Sequence, residues 1–134
     1  FLERLSHPSA GANVTRVAGR LPLHASSSGL VLLAFAPPSV RARVLAGPLR
    51  ALSPETITDK ETLRRTLEGI RRDRYVVSVG SIEQVSTGVA APIRDRGEVV
   101  AALSVVLPRE TDTGPAVAAL LSAVREIERD LRSR

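Results

Sequence analysis

Two histidines, a run of three serines and a scatter of carboxylates are the side chains of this 134-residue chain best suited to act on a substrate. A serine nucleophile needs a base within hydrogen-bond reach, and only His7 and His24 are bases of that type. No Gly-x-Ser-x-Gly elbow presents a serine on a strained turn. Two histidines at this spacing match no metal pattern. The chain has no cysteine, which excludes thiol catalysis, sulfur-ligated metals and disulfides. No Gly-x-Gly-x-x-Gly or Walker loop is present to cradle phosphates. The carboxylates lie along helical stretches or in the turn at Asp95, not paired for acid–base work. The expectation is a non-enzyme with no cofactor and no metal. A small hydrolase or isomerase would require His24 to meet a serine in space.

The remaining chemistry is binding. In Arg20-Leu21-Pro22-Leu23-His24-Ala25-Ser26-Ser27-Ser28-Gly29-Leu30-Val31-Leu32-Leu33-Ala34-Phe35 an irregular segment feeds a helix expected over 26–36. A serine oxygen in the triple run can cap it by accepting an orphan N–H of the first turn. A helix that is apolar all round must be buried. Its N-terminus, with free N–H groups and a partial positive charge, then points into the domain, where it suits a small anion. His24 has two readings: a ligand-binding or loop-locking group, or a structural ring bonded to backbone of the loop before the helix, which is favoured. Ser104 interrupts an apolar strand. Its hydroxyl needs a partner, either neighbouring backbone or a ligand in a pocket.

The elements that would hold these groups can be read from periodicity. Phe1–Ser6 and Asn13–Val17 read as strands joined by a Pro/Gly loop. Pro37 stops the first helix, and Pro38 opens a second over 38–46 that Gly47-Pro48 ends. Thr58 and Glu61 form a capping box before a helix with Leu63, Leu67 and Ile70 at helical spacing. Strands follow at 75–79, 85–94 and 98–107, the last two flanking the hairpin signal Asp95-Arg96-Gly97. The third is nearly continuous in apolar residues, as for a strand covered on both faces or lying at a subunit contact. A closing amphipathic helix over 113–131 carries Val117, Leu120, Leu121, Val124, Ile127 and Leu131 on one stripe. Segregated helices and a hairpin point to α+β with an antiparallel sheet.

Composition narrows the partners. The length suits one domain, 1–134, and 43% apolar residues suit a globular core. Aromatics are only 2% (Phe1, Phe35, Tyr75), too few for a base-stacking platform. The net charge of +5 comes from arginine, since Lys60 is the only lysine. Most arginines fall on helix faces beside acids; Glu61 with Arg65 and Glu128 with Arg132 are expected i,i+4 pairs. No apolar run reaches transmembrane length and no signal peptide is visible, so the expected location is cytoplasmic, with no membrane partner. Phe1-Leu2-Glu3-Arg4-Leu5 starts without Met in strand-like fashion, and a fragment of a larger protein is expected.

Three motifs in order carry a family resemblance: Gly19-Arg20-Leu21-Pro22-Leu23-His24-Ala25 with Gly29 and Leu32-Leu33-Ala34; Gly88-Val89-Ala90-Ala91-Pro92-Ile93-Arg94-Asp95 with Gly97; and Val99-Val100-Ala101-Ala102-Leu103-Ser104-Val105. Over residues 1–132 the chain resembles the effector domain of IclR-family bacterial transcription regulators. The resemblance implies a GAF-like curved antiparallel sheet flanked by helices. It also implies a pocket for a small organic effector, often a carboxylate or aromatic acid, and assembly into a homodimer or homotetramer. Operator DNA would be bound by an N-terminal winged helix-turn-helix that this chain lacks, together with the first part of the effector domain. By position, the effector-binding residues implied are Ser28, Gly29, Leu30, Ser78, Gly88, Ser104 and Val106, with His24 organising the loop. Two departures stand out: Ser78-Val79-Gly80-Ser81 replaces a common acidic run, and Val106 stands where a second serine is common. Both imply a less acidic, more apolar pocket. A GAF-like module that dimerises without ligand is the alternative.

Overall fold

The structure is a computed structural model that describes residues 21–134. The strands expected at 1–6 and 13–17, and His7, lie outside the described residues. Within them the order is α1 (Ser27–Ala34), α2 (Pro38–Ala46), α3 (Lys60–Asp73), β1 (Val76–Val79), β2 (Ser86–Asp95), β3 (Glu98–Pro108) and α4 (Gly114–Arg132). The strands form an antiparallel sheet in the order β1-β2-β3. Helices cover both of its faces, which is the α+β architecture expected.

Side chains alternate across a strand, and β2 shows what this does. Ala90 belongs to a core with Leu30, Val31, Leu33, Leu63, Leu67 and Ile70, from α1 and α3. Val89, Ala91 and Ile93 face the other way, onto Leu120 and Val124 of α4. The stripe expected on the last helix is the one that packs there, down to Ile127 and Leu131. Asp95 pairs with Glu98 across a two-residue loop in which Arg96 and Gly97 take φ of 54° and 82°. Positive φ at both central residues matches the right-handed twist of a hairpin.

Several local expectations are corrected. Of the two readings of the third strand, coverage on both faces fails within the chain, where β2 is the strand so covered; the other, a subunit contact, is untouched by this. No β3 residue is fully buried, and Val100 is 56% exposed. Among the described residues β3 is outermost in the sheet, so helices on both faces bury the central strand first. The Thr58–Glu61 capping box does not form. The carboxylate of Asp59 accepts from the N–H and the hydroxyl of Thr62, and the helix begins one residue later. The second helix ends at Gly47 as expected, and that residue is extended (φ −91°, ψ 176°), as a residue before proline is biased to be. Glu61 pairs with Arg64 rather than Arg65. Glu128 turns inward, and its carboxylate accepts the N–H of Arg94 at 2.7 Å instead of reaching Arg132. That N–H sits at the register shift between Ile93 and Arg94, where the ladder is irregular.

Candidate functional site

The loop before α1 is held from three sides. The Ala25 N–H donates to the carbonyl of Pro22 at 3.1 Å. His24 is buried, and its Nε2 lies 2.7 Å from the Arg50 carbonyl. A carbonyl only accepts, so that nitrogen carries the proton. The ring therefore braces the loop against the α2–α3 connector, 26 residues away, rather than against its own backbone. Ser26 is the N-cap, with its hydroxyl accepting the Gly29 N–H at 2.9 Å. A Cβ on Gly29 would lie 2.6 Å from the Leu23 carbonyl oxygen, so glycine lets the loop lie against the helix.

Among the described residues, these bonds decide which amides remain free. Leu30 N–H is engaged with the Ser26 carbonyl, and Gly29 N–H with the Ser26 hydroxyl. The amides of Ser27 and Ser28 are the ones a helix leaves unpaired at its start. No acidic side chain occupies the first turn. The opposite end of α1 is met by arginines: Arg71 donates to the Ala34 carbonyl at 3.1 Å, Arg41 donates to that of Ala36, and Arg94 lies 5.2 Å from the Phe35 ring centre. Cations there complement the helix dipole and leave its positive end to the site. Not every side of α1 is covered, for Leu32 is 39% exposed.

The sheet brings the other expected residues beneath that turn. Register places Ser78, Gly88 and Val106 in one cross-strand row, and Ala90 and Ser104 in the next. Ala90 faces α1, so alternation puts Ser78, Gly88, Ser104 and Val106 on the α1 face as well. A Cβ on Gly88 would sit 2.6 Å from the Ser27 hydroxyl, which shows how closely the helix start descends onto the strand. Val106 is 47% exposed, so the face is open at that edge. Leu30 is the exception, its side chain being buried in the core with α3.

Three residues absent from the expected set belong to this constellation: Ser27, Ser81 and Thr56. Ser27 is buried above Gly88. Ser81 is buried, and its hydroxyl lies 2.6 Å from that of Ser78. The Thr56 hydroxyl accepts the N–H groups of Leu52 and Ser53 at 3.0 Å each and donates to the Ser81 carbonyl. Ser53 donates to the carbonyl of Gly80, and Glu55 pairs with Arg109 beside it. The α2–α3 connector is thus fastened onto the turn after β1. A polar residue three positions after Ser78 was a visible signal for Ser81. No local pattern pointed to Thr56.

The arrangement is a few polar points on an otherwise aliphatic surface, the usual profile of a small-molecule site. Among the described residues no hydrogen bond joins His24 to a serine hydroxyl; its Nε2 bonds the Arg50 carbonyl. Among the described residues no cluster of three or more potential metal ligands occurs, and no helix is long and apolar enough to cross a membrane. A separate cleft of about 410 Å³ lies between the hairpin tip and the end of α4, lined by Arg94, Asp95, Arg96, Glu128 and Arg132 among others. It lies six residues along β2 from Gly88, roughly 20 Å, and contains none of the expected effector residues.

Residues 1–133 match the family model described as bacterial transcriptional regulator IclR C-terminal. A probable transcriptional regulator, SauR, of Cupriavidus necator is 41% identical over 91 residues, 66% of this chain and 36% of that protein. An IclR homolog from Microbacterium hydrocarbonoxydans, solved in complex with 4-hydroxybenzoate, superposes with a TM-score of 0.96 at 54% identity, covering 98% of this chain and 55% of that one. The inducer-binding domain of PobR from Acinetobacter, a double mutant solved with 3-hydroxybenzoic acid, gives 0.79 at 26% identity, covering 92% of this chain and 77% of that one. The chain thus spans about a third to a half of the full-length regulators it matches.

Proposed function

We propose, for a chain that belongs to the family of IclR C-terminal domains of bacterial transcriptional regulators, that it senses a small aromatic carboxylic acid and modulates operator binding by its regulator. The carrying observation is the assembly of Ser78, Gly88, Ser104 and Val106 on one sheet face under the start of α1. The effector's carboxylate meets the free amides of Ser27 and Ser28. There the helix dipole contributes about 0.3–1 kcal/mol to an exposed anion and up to about 2 kcal/mol to a partly buried one. The apolar body of the ligand lies on the face around Gly88 toward Val106, with the Ser104 hydroxyl at its edge. Two solved relatives carry hydroxybenzoates, which supports an aromatic acid as the class. The regulator works as a homodimer or homotetramer in the cytoplasm, and an N-terminal winged helix-turn-helix contacts the operator. Effector binding shifts the balance between two states of different DNA affinity.

The test is calorimetric titration of the purified protein with benzoate, hydroxybenzoates and aliphatic acids of similar size, alongside thermal unfolding. Aromatic acids should bind without turnover. At a hundredfold excess over Kd the gain is about 2.7 kcal/mol, a rise in Tm of roughly 8–13 °C for a domain of this size. Absence of both heat and Tm shift with every aromatic acid at millimolar concentration would refute the reading.

A further inference from the structure

We propose that the Ser78–Ser81 hydroxyl pair is the element that reads a neutral hydroxyl group on the effector, a role that rests on the function proposed above and deepens it. Ser78 shares the row of Gly88 on the α1 face, so its side chain borders the ligand surface. Its hydroxyl is 2.6 Å from that of Ser81, a residue only 8% exposed. Ser81 is held in place by its backbone. Its carbonyl accepts from Thr56, whose hydroxyl oxygen already accepts two N–H groups. The neighbouring Gly80 carbonyl is held by Ser53. The pair is therefore a fixed feature rather than two free rotors.

Counting hydrogens and lone pairs shows what it selects. Two hydroxyls carry two hydrogens and four lone pairs. One hydrogen lies between the oxygens, whichever serine donates. Among the described residues the pair has no other partner, so one hydrogen and three lone pairs remain. A group that both donates and accepts satisfies it, and an alcohol or phenol is such a group. A second carboxylate brings acceptors only: it can take the one remaining O–H but supplies no donor to the three lone pairs. An ammonium brings donors only and meets the leftover O–H. Among the described residues no ionised side chain bonds to the pair, and the nearby Glu55 and Arg109 are matched to each other. A site built to hydrogen-bond a hydroxyl discriminates against the analogue lacking it, because its buried polar groups are then left unpaired.

Calorimetry with benzoate, 3-hydroxybenzoate, 4-hydroxybenzoate and terephthalate tests this on wild type, Ser78→Ala, Ser81→Ala and Ser78→Thr. Wild type should bind one hydroxybenzoate about tenfold or more tighter than benzoate, with terephthalate weaker than that hydroxybenzoate. In both alanine variants the ratio of hydroxybenzoate to benzoate affinity should fall to within about threefold, whatever happens to the absolute affinity for benzoate. Ser78→Thr, which retains a hydroxyl at a strand position, should keep the hydroxyl preference. If Ser81→Ala does not fold, Ser78→Ala and Ser78→Thr carry the comparison. The assignment is overturned if wild type binds benzoate without discriminating, or if the preference survives in a folded alanine variant. Binding of none of the four acids to wild type would instead overturn the function on which the assignment rests.

Discussion

Replacing Gly29 by alanine should destabilise the protein, although the same change elsewhere in a helix stabilises. Gly29 lies in the first turn of α1. Helix propensity alone favours alanine over glycine by about 0.8–1 kcal/mol. The structure reverses the sign. The new methyl would lie 2.6 Å from the Leu23 carbonyl oxygen, 2.7 Å from the Ser26 hydroxyl and 2.8 Å from the Leu23 Cα. Two of these are backbone atoms of a loop already tied by Pro22 and by the His24–Arg50 bond. Forcing extra volume into such a place costs about 1–3 kcal/mol. Pushing Ser26 aside also breaks the cap, which is worth about 1 kcal/mol. After subtracting the propensity gain, the net loss is about 2 kcal/mol, a fall in Tm of roughly 6–10 °C. Gly69 of α3 is the internal control. Among the described residues a Cβ there meets only the Arg72 guanidinium at 3.6 Å, an ordinary contact, so Gly69→Ala should raise stability by about 0.5–1 kcal/mol. Urea unfolding of the two variants beside wild type measures both. A Gly29→Ala protein as stable as wild type would refute the packing of the loop on α1. An effector affinity unchanged in a destabilised Gly29→Ala would show that this turn does not shape the site.

Two further outcomes are open to direct measurement. Glu128→Ala leaves the half-buried Arg94 N–H without its acceptor and should cost about 1–3 kcal/mol, whereas Glu128→Gln keeps an acceptor and should cost less; equal urea midpoints for the two variants would rule out the bond. Hydrogen bonds from the hydroxyl and N–H of Thr62 hold the Asp59 carboxyl below its ordinary pKa. Its contribution is therefore complete above the unfolded-state value of about 3.9 and is lost as pH falls through the lower folded-state value. The gap in urea midpoint between wild type and Asp59→Ala should be constant near neutrality and close in acid, and a gap that persists in acid would exclude the carboxylate as the cap.

Local chemistry made much of the fold legible. Pro37, Pro38 and Pro48 bound α2 because proline fixes φ and removes a donor. The spacing of Leu63, Leu67 and Ile70 identifies the buried side of α3 before any tertiary contact is known, and all three are buried. The Arg96-Gly97 turn is written in residues beside a strong hairpin signal. The errors fell where two local solutions were nearly equal. Thr58 and Asp59 are both good caps, and the ability of one carboxylate to take two bonds from Thr62 separates them. Glu128 could have paired along its own helix, but an N–H left over at a strand irregularity made the stronger claim.

The sequence by itself determined the entrance of the site: a proline-bent loop, a serine cap and an apolar helix whose start carries free amides are all encoded within sixteen consecutive residues. It also placed Ser78, Gly88, Ser104 and Val106 on strands, with family resemblance marking them. Only the tertiary structure decided that these four share one face, because that depends on antiparallel register, and a one-residue slip would send them to the other side. Of the expected Ser28, Gly29 and Leu30 it also showed the last two amides to be taken by Ser26, which leaves Ser28, with Ser27 beside it, as the donors unpaired among the described residues. And it added Thr56 and Ser81, which are 25 residues apart in the chain and meet only where the α2–α3 connector folds over the turn after β1.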